Sequence, residues 1–429
     1  MRPGYKPHTK HPEREAAYAE VHARPFPMVE APLCVSFIGL ITTDEDVEIH
    51  RQLLAELAGE AGVPAPGPEA TCYYQELSGS ELRWERHQEF CALAILAPCS
   101  QSPGFEKPAL SCLPDEWVDR IAGKWVVGFH ALMLDGASPL PGNPSLDRHF
   151  SGATVFGSKI VDGRAAVWTS FRLHADGFTR FVIYNNGLSR FQAGRTLQRM
   201  LEVETYWVMA MLGLPVARRL APEVARLDTE LAELTGQLPN LDGQDDEKRL
   251  IRELSSLAAR VEALRAGSKY RFSATRAYYE LASKRLADLR EEKFSGVSTL
   301  SKFLKRRLTP AVKTCSAVEE QLMDLSRRIA RASALLRTNV DLSLQEQNQE
   351  LLQSMNRRAA MQLRLQQTVE GLSVVVISYY TIGLFKTALE ALKHAGVEIE
   401  PVPAAGIAIV PVVLLVWYVV RKVRKGLTS

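Results

Sequence analysis

The sequence predicts an α+β cytoplasmic domain, then a long helical coiled-coil region, then a C-terminal two-helix transmembrane hairpin. Three patterns carry that reading. Short apolar runs of strand length, separated by turn residues, fill residues 1–215; leucine-rich seams spaced three and four apart fill 216–370; two nearly unbroken apolar stretches fill 371–429. At 429 residues, 24% charged and 46% hydrophobic, the chain has material for one substantial globular domain and a second region. Its formal net charge of +3 does not suggest a nucleic-acid partner.

Leu33 to Ile41 reads as a short buried strand, and Thr42-Thr-Asp-Glu45 offers a capping box into an amphipathic helix from Asp44 to Glu60, ended by Pro64, Pro66, Gly67 and Pro68. Further strands are expected at Thr71–Leu77, Glu81–Leu96, Trp125–Leu134, Ala153–Val161, Ala165–Leu173 and Phe178–Tyr184, where sheet content ends. A helix follows from Ser189 to Leu212. Three seams then repeat: Val224, Leu227, Leu231, Leu234, Leu238; Leu250, Leu254, Leu257, Val261, Leu264; and Cys315, Val318, Leu322, Leu325, Ile329. Gly243, Gly296 and Pro310 punctuate this region. Ala311 to Glu370 holds neither Gly nor Pro, which predicts a helix of about 90 Å at the helical rise, leading into the first apolar stretch as a stalk.

Pro403 to Val420 covers about 27 Å of helix, close to the roughly 30 Å of a hydrocarbon core. Trp417 and Tyr418 stand where an interfacial belt belongs, and Arg421, Lys422, Arg424 and Lys425 follow. The first segment starts at Gly371 and must extend through Leu392 to span. Arg357, Arg358 and Arg364 precede it, whereas the connection between the segments sets Lys386 and Lys393 against Glu390, Glu398 and Glu400. Both termini are therefore expected in the cytoplasm. The polar, Pro-rich opening predicts no cleaved secretory signal. The six cysteines, Cys34, Cys72, Cys91, Cys99, Cys112 and Cys315, show no CxxC spacing and are expected as reduced core thiols.

The densest polar cluster is Arg83-Trp-Glu-Arg-His-Gln-Glu-Phe90. On one strand, Arg83, Glu85, His87 and Glu89 would share a face. Glu85, His87 and Glu89, with His174 and Asp176 from a later turn, supply the oxygen and imidazole donors a divalent cation would take, making these five the metal candidates. A ladder of cross-strand salt bridges on a solvated face explains the same residues. Glu20-Val-His22-Ala-Arg24-Pro25 and Arg172-Leu-His174-Ala-Asp176 mix His and Arg in a way that fits an anion pocket or a satisfied turn. On the first apolar segment Glu370, Ser373, Ser378 and Thr381 form a polar stripe, a pore-lining candidate where several copies share an axis, or a set of interhelical hydrogen bonds within one chain. No nucleophile elbow, Walker loop, dinucleotide fingerprint or zinc helix is present, so an enzyme is not expected and no cofactor is implied.

The blocks Glu20-Val-His-Ala-Arg-Pro25, Trp84-Glu-Arg-His-Gln-Glu-Phe90, Arg172-Leu-His-Ala-Asp-Gly-Phe178, Leu201-Glu-Val-Glu-Thr-Tyr206 and Leu363-Arg-Leu-Gln-Gln-Thr-Val-Glu-Gly-Leu-Ser373 resemble those of a bacterial family of membrane-anchored proteins that carries only the designation domain of unknown function. The resemblance spans nearly the whole chain; it implies the membrane anchor and no activity. The layout is also similar to that of the pentameric CorA-type magnesium transporters, although Leu384-Phe-Lys-Thr-Ala388 stands where those carry Gly-Met-Asn. The expected function is a membrane protein assembling as a homo-oligomer, either an ion transporter or channel of that layout or a membrane-tethered scaffold without a pore.

Overall fold

The computed structural model describes residues 11–15, 17–18, 25–99, 104–140, 142–241, 244–394 and 400–427. The Glu20–Arg24 block lies outside them. By internal contacts the chain forms two units, Met1–Asn240 with Leu250–Ala332, and Leu241–Arg249 with Ser333–Ser429.

The first unit is built on a nine-stranded sheet: β1 (Leu33–Ile41), β2 (Cys72–Leu77), β3 (Ser80–Arg86), β4 (Phe90–Pro98), β5 (Lys124–Asp135), β6 (Phe156–Ile160), β7 (Ala165–Thr169), β8 (Thr179–Asn185) and β9 (Glu292–Lys293). Their order is β2-β3-β4-β1-β5-β8-β7-β6-β9. Only β5 and β8 run parallel; every other neighbouring pair is antiparallel. The two central strands β1 and β4 are apolar at almost every position because both faces are covered. Val35, Phe37, Phe90, Ala92 and Phe129 face one core, shared with Leu197, Met200 and Leu201 of helix α2 (Arg190–Met211). Cys34, Cys91, Leu93, Trp84 and Leu132 face the other, closed by helix α1 (Asp44–Ala61) through Val47, Leu53, Leu54 and Leu57.

Local chemistry sets the helix ends, one residue from where the sequence pattern puts them. Thr43, rather than Thr42, caps α1, and its backbone N–H donates back to Asp46 at 2.8 Å. Gly62, in the left-handed conformation, ends the helix before the proline cluster is reached. Ser189 and Gln192 form the equivalent box for α2. The strand expected over Glu81–Leu96 is instead a hairpin: His87 N–H donates to Phe90 O at 2.8 Å, and His87 to Glu89 turn the chain. Sheet content does not end at Tyr184 either, since Glu292–Lys293 adds a short ninth strand against β6.

Helices α3 (Gly213–Gln237), α4 (Gln244–Asp288) and α5 (Leu300–His394) carry the three seams. Val224, Leu227, Leu231, Leu234, Leu250, Leu254, Leu257, Val261, Cys315, Val318, Leu322, Leu325 and Ile329 are all buried. Arg260 pairs with Glu230, Arg328 with Asp228 and Arg276 with Glu319, which ties each helix to the other two in a bundle of one chain. Gly213 is required where they converge: a Cβ there would fall 2.2 Å from Thr275 Oγ1 and 3.1 Å from Cys315 Sγ. Pro310 does not interrupt α5, which is helical from Leu300 through the Gly- and Pro-free stretch.

The cysteines depart from expectation at one place. Cys34 and Cys99 are disulfide-bonded, with Cα atoms 5.2 Å apart, while Cys72, Cys91, Cys112 and Cys315 form no disulfide. Sheet register causes the meeting, because Leu33 pairs with Pro98 and Cys34 with Ala97 across a separation of 65 residues.

In the second unit, α5 and helix α6 (Pro401–Leu427) contain two segments long and apolar enough to cross a membrane. Ser378 and Leu389 of the first and Ala405 and Val416 of the second are buried, and Tyr380, Leu384 and Ile409 line a common cavity.

Candidate functional site

The sheet face carrying α2 opens at the β3–β4 hairpin into a cavity of about 350 Å³. Alternation along β3 aims Glu85 into it, opposite Cys72 on β2 and Ala92 on β4. His87 and Phe90 follow from the turn, and Leu201, Glu202, Thr205 and Tyr206 face them from α2. Tyr74 donates its hydroxyl to Glu85 Oε1 at 3.3 Å, and His87 Nε2 lies 3.7 Å from Glu85 Oε2. The His87 ring stacks on Phe90 at 4.2 Å, and Tyr206 stacks on Tyr278 of α4 at 5.8 Å. Two ion pairs frame the margin, Glu89 with Arg271 and Glu202 with Arg285. Burial, helped by the negative charge of Glu89, pushes the Tyr278 phenol well above its ordinary range. Pro25 O accepts from Arg83, and Pro27 crosses α2 so closely that a Cβ on Gly194 would lie 1.6 Å from its carbonyl oxygen.

Two of the sequence blocks, 84–90 and 201–206, therefore converge on one cavity, and a third ends beside it at Pro25. The five metal candidates do not converge. Glu85, His87 and Glu89 lie at the β3–β4 hairpin, whereas His174 and Asp176 belong to the turn before β8. Four strand spacings, about 19 Å, separate β3 from β8. Among the described residues no group of three or more His, Cys, Asp or Glu is placed to hold a metal ion. The salt-bridge ladder is not what the charged face forms either: Arg83 and Glu85 are buried, and their cross-strand neighbours are Tyr74, Ala94, Cys72 and Ala92. Arg83 instead lies over the Tyr74 ring at 4.0 Å and pairs with Glu81 at 2.8 Å.

The other half of the metal set joins a separate network. Asp176 accepts from Phe178 N–H at 3.0 Å and pairs with Arg180 at 3.4 Å. His130 stacks on Phe178 at 4.0 Å and meets Ser36 Oγ through Nδ1 at 2.9 Å. Burial holds the His130 imidazole down to about 4, with Asp176 opposing. Leu110 N–H also donates to Ser36 Oγ at 2.9 Å, so the hydroxyl bridges that turn to the His130 ring. Ser36 is 0% exposed, so this serine and histidine pin the Ala109–Cys112 turn to the sheet and are closed to a substrate.

Sequence reasoning missed Arg271, Tyr278 and Arg285 of α4, and Glu204 of α2. Glu204 is 1% exposed and accepts from Thr179 Oγ1 at 2.8 Å and Trp207 Nε1 at 2.6 Å. Burial raises its carboxyl to about 7, against both hydrogen bonds. The polar stripe of the first apolar segment is partly self-satisfied: Ser373 Oγ donates to Val369 O and Thr381 Oγ1 to Ile377 O, both at 2.8 Å. Ser378 is buried, and Glu370 is half-buried at the stripe's start.

A nine-stranded mixed sheet between helices, a bundle of one chain and two apolar C-terminal helices define the class of protein. The chain belongs to the family described as Protein of unknown function (DUF3422), which it matches over residues 9–427. No curated protein matches it.

Proposed function

We propose that the protein is a non-enzymatic, self-associating tether of the bacterial inner membrane, holding its sheet domain at the cytoplasmic face. One observation carries this: only 11% of the residues in each apolar window are buried. The contrast with the bundle is direct, since Leu257 and Val261 are 0% exposed there while Ile407 is 80% exposed. Helices so apolar and so open fit a solvent other than water, and lipid accepts them because a helix satisfies nearly all of its backbone groups internally. Basic residues on the outer flanks and the acidic connection between the segments support cytoplasmic termini.

Self-association draws support from α5 between the bundle and the first apolar window. Leu344, Leu351 and Leu365 recur at multiples of seven, Met355 and Val369 stand four residues after two of them, and all are exposed in the single chain. A second copy laid along that seam would bury them. The tether reading is favoured over a CorA-like pore by the hydroxyl stripe. Two of its hydroxyls, Ser373 and Thr381, bond carbonyls of their own helix and so need no shared axis.

Two experiments test this. A reporter fused at Ser429 is expected to be active only in the cytoplasm; periplasmic activity overturns the topology. Liposomes bearing the protein are expected to pass no magnesium, potassium, sodium or chloride, and flux that falls in Thr381→Leu replaces the tether with a transporter.

A further inference from the structure

We propose that Cys34 and Cys99 form a reversible redox pair, oxidised by low-molecular-weight disulfides of the glutathione class and reduced again by the corresponding thiols. The argument starts from register. Cys34 stands second in β1, Cys99 follows the last residue of β4, and the two strands are zipped from Leu33↔Pro98 to Ile41↔Phe90. The Cys99 N–H also donates to Pro32 O at 3.2 Å, which continues the ladder one step past β4. The ladder thus brings the two cysteines side by side, with Cα atoms 5.2 Å apart, inside the range a disulfide requires. Forming or breaking the bond needs no rearrangement of the sheet.

Access is the second requirement. Cys34 lines an open cavity together with Lys107, Ala109 and Cys112, and Cys99 is half-buried beside it. Cys112 is exposed, so a thiol-bearing molecule reaches this cavity from solvent. Cys91 and Cys315, by contrast, are buried in apolar cores where burial pushes their thiols up, away from the reactive thiolate. The pair is therefore pre-aligned and, although Cys34 is itself buried, reachable through the half-buried Cys99, a combination shared by neither of those buried thiols.

The exchange balances with two electrons. One cysteine thiolate attacks a sulfur of the small disulfide, forming a mixed disulfide and releasing one small thiol; the second cysteine then attacks the protein sulfur, closing Cys34–Cys99 and releasing the other. Both protein thiols are oxidised, the small disulfide is reduced to two thiols, and the cysteine protons pass to them. In a reducing cytoplasm the resting pair is the dithiol, and closure follows a rise in the oxidised pool. The closed bond ties the entrance of β1 to the exit of β4, next to the turn that Ser36 holds through Leu110.

The test uses the full-length protein in nanodiscs, equilibrated across ratios of reduced to oxidised glutathione, quenched in acid, alkylated and mapped as peptides. A Cys34–Cys99 cross-linked peptide should appear as the buffer becomes oxidising and vanish on return, with Cys91 and Cys315 alkylated only after unfolding. Melting temperature should rise by several degrees on oxidation and fall back on reduction, and Cys99→Ser, which keeps the backbone N–H that Pro32 accepts, should fold and lose both responses. The proposal is overturned if the pair stays fully alkylatable in the most oxidising buffer, or stays bonded in the most reducing one. It is equally overturned if the thermal response persists in Cys99→Ser.

Discussion

Replacing Glu204 by Gln should make the sheet domain's stability less dependent on pH, and the size of the change follows from its surroundings. The carboxyl sits between α2 and β8, fully enclosed, with two neutral donors as partners. Burial penalises the charged form more than the hydrogen bonds favour it, and the folded carboxyl titrates at about 7 against an ordinary value of 4.5. Between those values the folded chain holds a proton that the unfolded chain has lost. Stability therefore falls as pH rises from about 4.5 to about 7 and is level above, a total of roughly 3 kcal/mol at about 1.4 kcal/mol per unit. A protonated Glu204 remains satisfied, since it donates to Thr179, whose hydroxyl then turns to Gly128 O at 3.4 Å. Gln carries the same shape without the titration. Chemical denaturation followed by tryptophan fluorescence, with Trp207 in contact, measures both chains from pH 5 to 8. The difference in favour of Glu204→Gln should widen by roughly 3 kcal/mol over that range; parallel pH profiles would refute the argument.

Three further outcomes are expected. Leu257→Ala removes a side chain enclosed at the bundle seam and should cost about 2–5 kcal/mol of stability by denaturant titration; a loss under about 1 kcal/mol would mean the bundle is loosely packed. Arg271→Ala leaves the half-buried Glu89 beside Tyr270 and Tyr278 without its cation and should destabilise the domain by about 1–3 kcal/mol, whereas the pair replacement with Glu89→Gln should recover part of that loss; no recovery in the double variant contradicts the pairing. Leu351→Glu with Leu365→Glu should convert the assembled protein to monomers in nanodiscs by light scattering while leaving the melting curve of the sheet domain in place; an unchanged mass removes α5 as the assembly seam.

The strand β1 was legible because it is covered on both faces, so its apolar run, Leu33 to Ile41, begins and ends with the strand itself. The helical seams were legible for a similar reason: a spacing of three and four places Leu227, Leu254 and Leu322 on buried stripes whatever the partner. The β3–β4 hairpin was not, because Arg86 to Glu89 lacks the Gly, Asn or Pro that marks a tight turn, and its polar alternation mimics a single strand. Half of the cavity was visible as two unusual polar blocks. The other half comes from α4, where Arg271 meets Glu89 across 182 residues, and no local pattern announces a contact of that range. The Cys34–Cys99 pair was hidden likewise, since only the register of β1 on β4 brings the two sulfurs together.

The central claim is membrane attachment through the two C-terminal apolar helices, and fractionation tests it most directly. The full chain and a version ending at Glu370 are expressed side by side, and membranes are washed with high salt and then alkaline carbonate before pelleting. Full-length protein should remain in the pellet through both washes, and the shortened chain should be soluble, because among the described residues no other helix approaches the roughly 20 apolar residues needed to span. A shortened chain that still pellets, or a full-length chain released by carbonate, would contradict the account.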